Sequence, residues 1–177
     1  MAKKTELKDR ASALYFMRHA EAGEHDSKRW PDDSQRPLTP EGLKQARKAA
    51  AGLRRSGLRL TRVYSSPYVR ARQTAEAAAE ELKFKEKIAF TPALEPGGDF
   101  GELEALLRKT DHETVLLVGH EPSIGHFVSC LLGEDDGLPI EFEKAAVCRL
   151  DVVSRSPLKA TLRWFLPPRL AKQLRKK

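Results

Sequence analysis

An arginine and a histidine stand together at Arg18-His19, directly after the apolar run LYFM, and a second histidine, His120, closes the run TVLLVG. Between them in the chain lie Arg70 and Arg72, shortly after SSP, and Glu95 in PALEPGG. These residue types match the needs of phosphoryl transfer. A phosphoryl group carries close to two negative charges that repel an incoming nucleophile, so its site must offer fixed cations. Arginine suits this role because its planar fork donates two hydrogen bonds at once. Arg18 and Arg70 fit it. A neutral imidazole can attack phosphorus at neutral pH without a metal, provided its other ring nitrogen donates to a carbonyl and so fixes the tautomer. His19, at the end of an apolar run, is the candidate nucleophile. His120 precedes Glu121-Pro122-Ser123, where the unpaired N–H groups and dipole of a helix start favour an anion, and it is read as an anion-binding histidine.

Such side chains meet only if the elements that carry them end on one edge. SALYFM, residues 12–17, reads as a short buried strand. The polar segment of residues 21–40 is too long for a routine connection and is read as a functional loop. Thr39 as N-cap and Pro40 at the first helical position open a helix that stops at Gly57. A strand at 62–66 precedes Pro67 and a helix over about 68–83, and KIAFTPAL, 87–94, reads as a third strand. The Gly97-Gly98 turn leads to a helix over 99–109, and TVLLVGH, 114–120, is the clearest buried strand. A helix from Pro122-Ser123 to Leu132 follows, then two strands, AVCRLDVV and KATLRWFL, around Ser156-Pro157. This alternation predicts an α/β fold, a three-layer sandwich with a mostly parallel central sheet. In such sheets ligands bind at the carboxyl ends of the parallel strands, where the two histidines, the arginines and Glu95 would converge.

Other polar residues have simpler readings. Arg36, just ahead of the helix at Thr39, can reach a phosphate from the long loop or pair with Asp33. Arg72 lies about 200° around a helix from Arg70 and is read as a surface or structural residue. His25 and His112 lie in polar loops and are read as solvated, and His126 as a packing residue. Trp30 can shape a substrate entrance or anchor its loop, and Glu21 can orient the Arg18-His19 pair.

The 177 residues, 40% of them hydrophobic, suffice for one buried core, taken as residues 11–166. The formal net charge of +7 is uneven: residues 1–10 carry +2 and residues 166–177 carry +5. The segments 1–10 and 167–177 are therefore expected to be basic, flexible tails. Neither has the interleaved aromatics that stack bases, so no nucleic-acid partner is expected. No apolar run approaches the roughly 18 residues that span a bilayer, and the polar start MAKKTELKDR lacks a signal-peptide core. A cytoplasmic protein without a membrane partner is expected, with a monomer favoured. Cys130 and Cys148 have no metal-ligand spacing, and no phosphate-loop or metallohydrolase motif appears, so neither metal nor cofactor is expected.

FMRHAEAG, LTPEGLKQA, SSPYVRARQTA and LLVGHEPSIG, in that order, resemble the signatures of the histidine phosphatase superfamily, also called phosphoglycerate mutase-like. The small size and the segment DSQRPLTPEG resemble its SixA branch, the phosphohistidine phosphatases. The resemblance covers residues 12–165 and implies a phosphoglycerate mutase-like fold. It implies that His19 is transiently phosphorylated and that Arg18, Arg70 and His120 hold the phosphoryl group. Glu95 is the positional match to a general acid of the mutase-like members. Such an acid is less needed when a phosphoramidate is cleaved, because the leaving imidazole can take its proton before the P–N bond breaks. The substrate expected is a phosphorylated histidine on a protein. The alternatives are a small phosphorylated metabolite cleaved as a phosphomonoester, and a catalytically silent phosphate-binding module.

Overall fold

A computed structural model describes residues 12–109, 113–133, 137–171 and 173 of the chain. His112, the segment 1–10, Lys172, Arg175, Lys176 and Lys177 lie outside the described residues.

The fold is a sheet of six strands between two helical layers. In chain order these are β1 (Ala13–Arg18), α1 (Pro40–Arg55), β2 (Arg62–Ser65), α2 (Val69–Glu81), β3 (Ala89–Phe90), α3 (Phe100–Lys109), β4 (Thr114–Gly119), α4 (Ser123–Leu132), β5 (Val147–Arg155), β6 (Leu158–Leu166) and α5 (Pro168–Ala171). The strand order is β3-β2-β4-β1-β5-β6. β1 to β4 pair in parallel, whereas β5 is antiparallel to both β1 and β6.

The two-residue period of a strand sorts the core. Tyr15, Met17, Leu116 and Val118 face a cluster shared with α1 and α2. Leu14, Phe16, Val115 and Leu117 face a cluster shared with α3 and α4, filled by Leu103, Leu107, Ile124, Phe127 and Leu131. Strands apolar on both faces are what a parallel sheet covered by helices requires. The inward residues of α1 and α2 are small: Ala46, Ala49 and Ala50 on one, Ala71, Ala75 and Ala78 on the other. Both helices can therefore lie close to the sheet and to each other.

Two expectations are corrected. The third strand spans two residues rather than 87–94, because Pro92 has no N–H to give a ladder and starts a 3-10 turn, Pro92–Leu94, capped by Thr91. The segment from 167, expected as a tail, begins as α5, whose Ala171 is buried and accepts from Arg55 Nη2 at 3.5 Å.

Candidate active site

Strand register brings the chemistry together. Arg18 pairs with Gly119 across β1 and β4, so His19 and His120 each follow a strand end at the same level. Ser65 pairs with Val118 across β2 and β4, which sets Ser66 beside them. The ring centroids of His19 and His120 lie 5.0 Å apart.

His19 is held from several sides. Its N–H donates to the Gly119 carbonyl at 3.0 Å, and its own carbonyl accepts from Ala145 N at 3.3 Å. The next N–H, that of Ala20, donates to Thr74 Oγ1 at 3.0 Å, and Thr74 in turn donates to the Arg70 carbonyl one turn earlier in α2. The imidazole Nδ1 lies 2.7 Å from the Ala20 carbonyl, which can only accept, so Nδ1 carries the proton and Nε2 keeps its lone pair. Only 6% of the residue is exposed. Burial pushes its pKa down to about 3, and the charges of Arg70, Arg18 and Arg36 add to the effect against the Ala20 bond. The ring is neutral, with a free lone pair on Nε2, within the field of three guanidinium groups.

His120, 2% exposed, is also neutral, its pKa pushed to about 2 by burial and by the neighbouring His19 and Arg70. Its Nε2 lies 2.9 Å from Ser66 Oγ, which already accepts from Tyr68 N at 3.2 Å. Ser66 is fully buried and its hydroxyl has no other acceptor among the described residues, so it gives its proton to Nε2 and leaves the His120 proton on Nδ1. Among the described residues that Nδ1 is buried and without a partner, as are Arg18 Nε and Arg70 Nε. These three nitrogens, from β1, from α2 and from the residue after β4, are donors that an anion would satisfy, since buried donors without partners are costly.

The arginines are fixed at their far ends. Arg18 Nη1 donates to the Phe142 carbonyl at 2.7 Å. Arg70 Nη1 donates to the Asp33 carbonyl at 2.8 Å, and its Nη2 pairs with Asp33 Oδ2 at 3.0 Å. Asp33 also binds Arg36 Nε at 2.8 Å, the alternative weighed in the sequence against a phosphate contact, and His25 Nδ1 at 3.0 Å. These partners hold the Asp33 carboxyl well below the usual carboxylate range despite its partial burial. Arg36 Nη1 donates to the Gly23 carbonyl at 2.7 Å, so the arginine ties both ends of the long loop together. The loop also leans on α1. A Cβ at Gly42 would lie 1.9 Å from the Glu21 carbonyl, so the first turn of this helix accepts only glycine there.

Glu95 caps the 3-10 turn after β3, and its turn is joined to the start of α4 by Gly97 N donating to Ser123 Oγ at 2.9 Å. Its carboxylate makes no hydrogen bond or ion pair among the described residues. Glu21 does not touch His19; both its oxygens bind Lys144 Nζ, at 2.7 and 2.8 Å. Arg72 pairs with Glu76 on the surface, and the exposed His126 contacts Cys130. Trp30 packs under Arg29 beside an open cleft of about 760 Å³ between residues 22–30 and 37–40.

Sequence reasoning missed Ser66, Tyr68 and Thr74. Tyr68 stands edge-on to His120 at 5.2 Å, with the Arg70 guanidinium 5.0 Å over its ring. Ser66 and Tyr68 flank the proline of SSPY, a signal that was present but whose hydroxyl and ring roles depend on the fold.

The family model described as histidine phosphatase superfamily, branch 1, matches residues 14–96. The phosphohistidine phosphatase SixA of Escherichia coli is 33% identical over 119 residues, 66% of this chain and 71% of that protein. The chain belongs to the histidine phosphatase superfamily. An uncharacterized protein of Picosynechococcus is also 33% identical, over 77% of this histidine phosphatase and 83% of its own length. Among solved structures, the protein histidine phosphatase SixA complexed with tungstate superposes with a TM-score of 0.79 at 30% identity, covering 89% of this chain and 98% of that one. A phosphoglycerate mutase of Bacillus anthracis shares the fold, with a TM-score of 0.72 at 15% identity over 96% and 99% of the two chains. This histidine phosphatase is thus an enzyme of the SixA-type branch. Among its described residues, no helix is long and apolar enough to cross a membrane.

Proposed function

We propose that this histidine phosphatase hydrolyses phosphohistidine on proteins through a phosphorylated His19. The observation that carries the reading is the neutral His19 ring, its Nδ1 proton fixed on the Ala20 carbonyl, beside the unpartnered Arg18 Nε, Arg70 Nε and His120 Nδ1. Those three N–H groups bind the non-bridging oxygens and take up the charge that gathers there in the transition state. Arg36 adds its charge from the long loop.

In the first step His19 Nε2 forms a bond to phosphorus as the substrate P–N bond breaks. The leaving imidazole departs neutral, because its other ring nitrogen carries a proton and the nitrogen that held phosphorus keeps the P–N electron pair as its lone pair. In the second step water attacks phosphorus, the P–Nε2 bond breaks, and inorganic phosphate leaves with His19 restored. An imidazole that arrives protonated needs little help, whereas an alkoxide needs an acid. The partly exposed Glu95, at the edge of the site, is the candidate for that help.

The SixA relatives, at 30% identity or more, favour the phosphoramidate substrate. The connection from β3 to β4 supports it: a 3-10 turn and α3 follow one another without an inserted cap, which leaves the strand ends open to a protein-borne group. Purified protein tested on a phosphohistidine peptide, phosphoserine and sugar phosphates decides the matter. Faster turnover of the peptide is expected; faster turnover of an ester would overturn the substrate assignment.

A further inference from the structure

The wall behind Arg18 is built by residues 140–146, outside the segment matched by the family model. Arg18 N donates to the Ala146 carbonyl at 3.2 Å, its Nη1 donates to the Phe142 carbonyl at 2.7 Å, and Ala145 N reaches His19. Phe142 is buried, 1% exposed, and its own N–H donates to Glu121 Oε1 at 2.8 Å. Glu121 follows His120 directly, half-buried where α4 begins, and also accepts from the Gly125 N–H. Close packing keeps the wall in place: a Cβ at Gly125 would lie 2.2 Å from the Ile140 carbonyl. One carboxylate therefore grips the N–H of the same residue whose carbonyl grips the arginine.

We propose that Glu121 is a positioning residue that sets the Arg18 guanidinium through the backbone of Phe142. The inference rests on the reading of Arg18 as a phosphoryl-binding group. With Nη1 held by Phe142, the buried Nε of the same guanidinium has no partner among the described residues and is the group offered to a phosphoryl oxygen. A carboxylate accepting from the Phe142 N–H fixes the backbone of that residue, and with it the direction in which its carbonyl meets Arg18. Burial raises the Glu121 carboxyl pKa, while Arg18 lowers it and the exposed Glu141 raises it further. Glu121 is not a catalytic residue, since its bonds go to backbone.

The test is a double-mutant cycle on Glu121→Ala and Arg18→Ala, read by calorimetric binding of inorganic phosphate and by kcat and KM on a phosphohistidine peptide. Glu121→Ala is expected to weaken phosphate binding and lower kcat/KM by about 10- to 100-fold, the scale of a misplaced reacting group. In the Arg18→Ala background the same change should add less than about twofold. Glu121→Gln, which keeps one acceptor oxygen, should recover most of the loss and serves if the alanine variant does not fold. An equal drop in both backgrounds, or unchanged phosphate affinity in Glu121→Ala, would overturn the proposal. Because phosphate binding is read without turnover, a wild type that binds phosphate but cleaves nothing would count against the proposed function alone.

Discussion

His19 and His120 stand with ring centroids 5.0 Å apart and planes tilted by 54°, side by side at the ends of adjacent parallel strands. Both are buried and neutral with the proton on Nδ1, and they differ in which nitrogen is engaged: His19 spends Nδ1 on the Ala20 carbonyl, whereas His120 spends Nε2 on Ser66 and has no partner for Nδ1 among the described residues. One ring thus offers a lone pair and its neighbour offers a proton donor, a division that suits attack on one phosphoryl group.

The pH dependence of stability follows from these burials. The folded pKa values, about 3 for His19 and about 2 for His120, lie below the unfolded value of 6.5. Between about 6.5 and 3 the unfolded chain therefore binds more protons, and stability is complete above that window and falls as pH falls through it. Thermal melts from pH 7 to pH 4 should show this decline, and His120→Asn should make it shallower; an identical slope in the variant would refute the assignment.

Oxyanions should stabilise the folded chain. Inorganic phosphate at about 100 times its Kd adds about 2.7 kcal/mol, which a melting curve resolves easily. Arg70→Lys removes the planar fork and should abolish most of that shift while lowering kcat/KM by about 100-fold. A full shift in the lysine variant would show that phosphate binds elsewhere.

Thr74 holds the loop that carries His19. Thr74→Val leaves the buried Ala20 N–H without its acceptor and should cost about 1–3 kcal/mol in chemical denaturation. A fall in kcat should accompany it, because the Ala20 carbonyl orients the nucleophile. Unchanged kcat in a destabilised variant would confine Thr74 to folding.

Glu95→Gln separates the two leaving groups. Turnover of a phosphohistidine peptide should change less than about threefold, whereas any turnover of an aryl or alkyl phosphate should fall by about 100-fold. Equal losses on both would mean that Glu95 positions the site rather than donates a proton.

The parallel core and the motif residues were legible in the sequence because strand-end chemistry is local: a hydrophobic run followed by Arg-His or Gly-His states its own geometry. What escaped depends on distant partners. Thr74 reaches Ala20 across 54 positions, and the Phe142 carbonyl reaches Arg18 across 124. The third strand was overread because its β-rich composition hid what Pro92 does to a ladder. Asp33 was one of two readings for Arg36, and its grip on Arg70 needed the long loop folded over α2.

The central claim is a covalent phosphohistidine at His19, and rapid quenching of the enzyme with a phosphohistidine peptide, followed by mass spectrometry under alkaline conditions, tests it most directly. A phosphoryl group on His19 that forms and decays at rates matching turnover is predicted, with none in His19→Ala. Turnover at full rate without label on His19, or label persisting in the alanine variant, would contradict it.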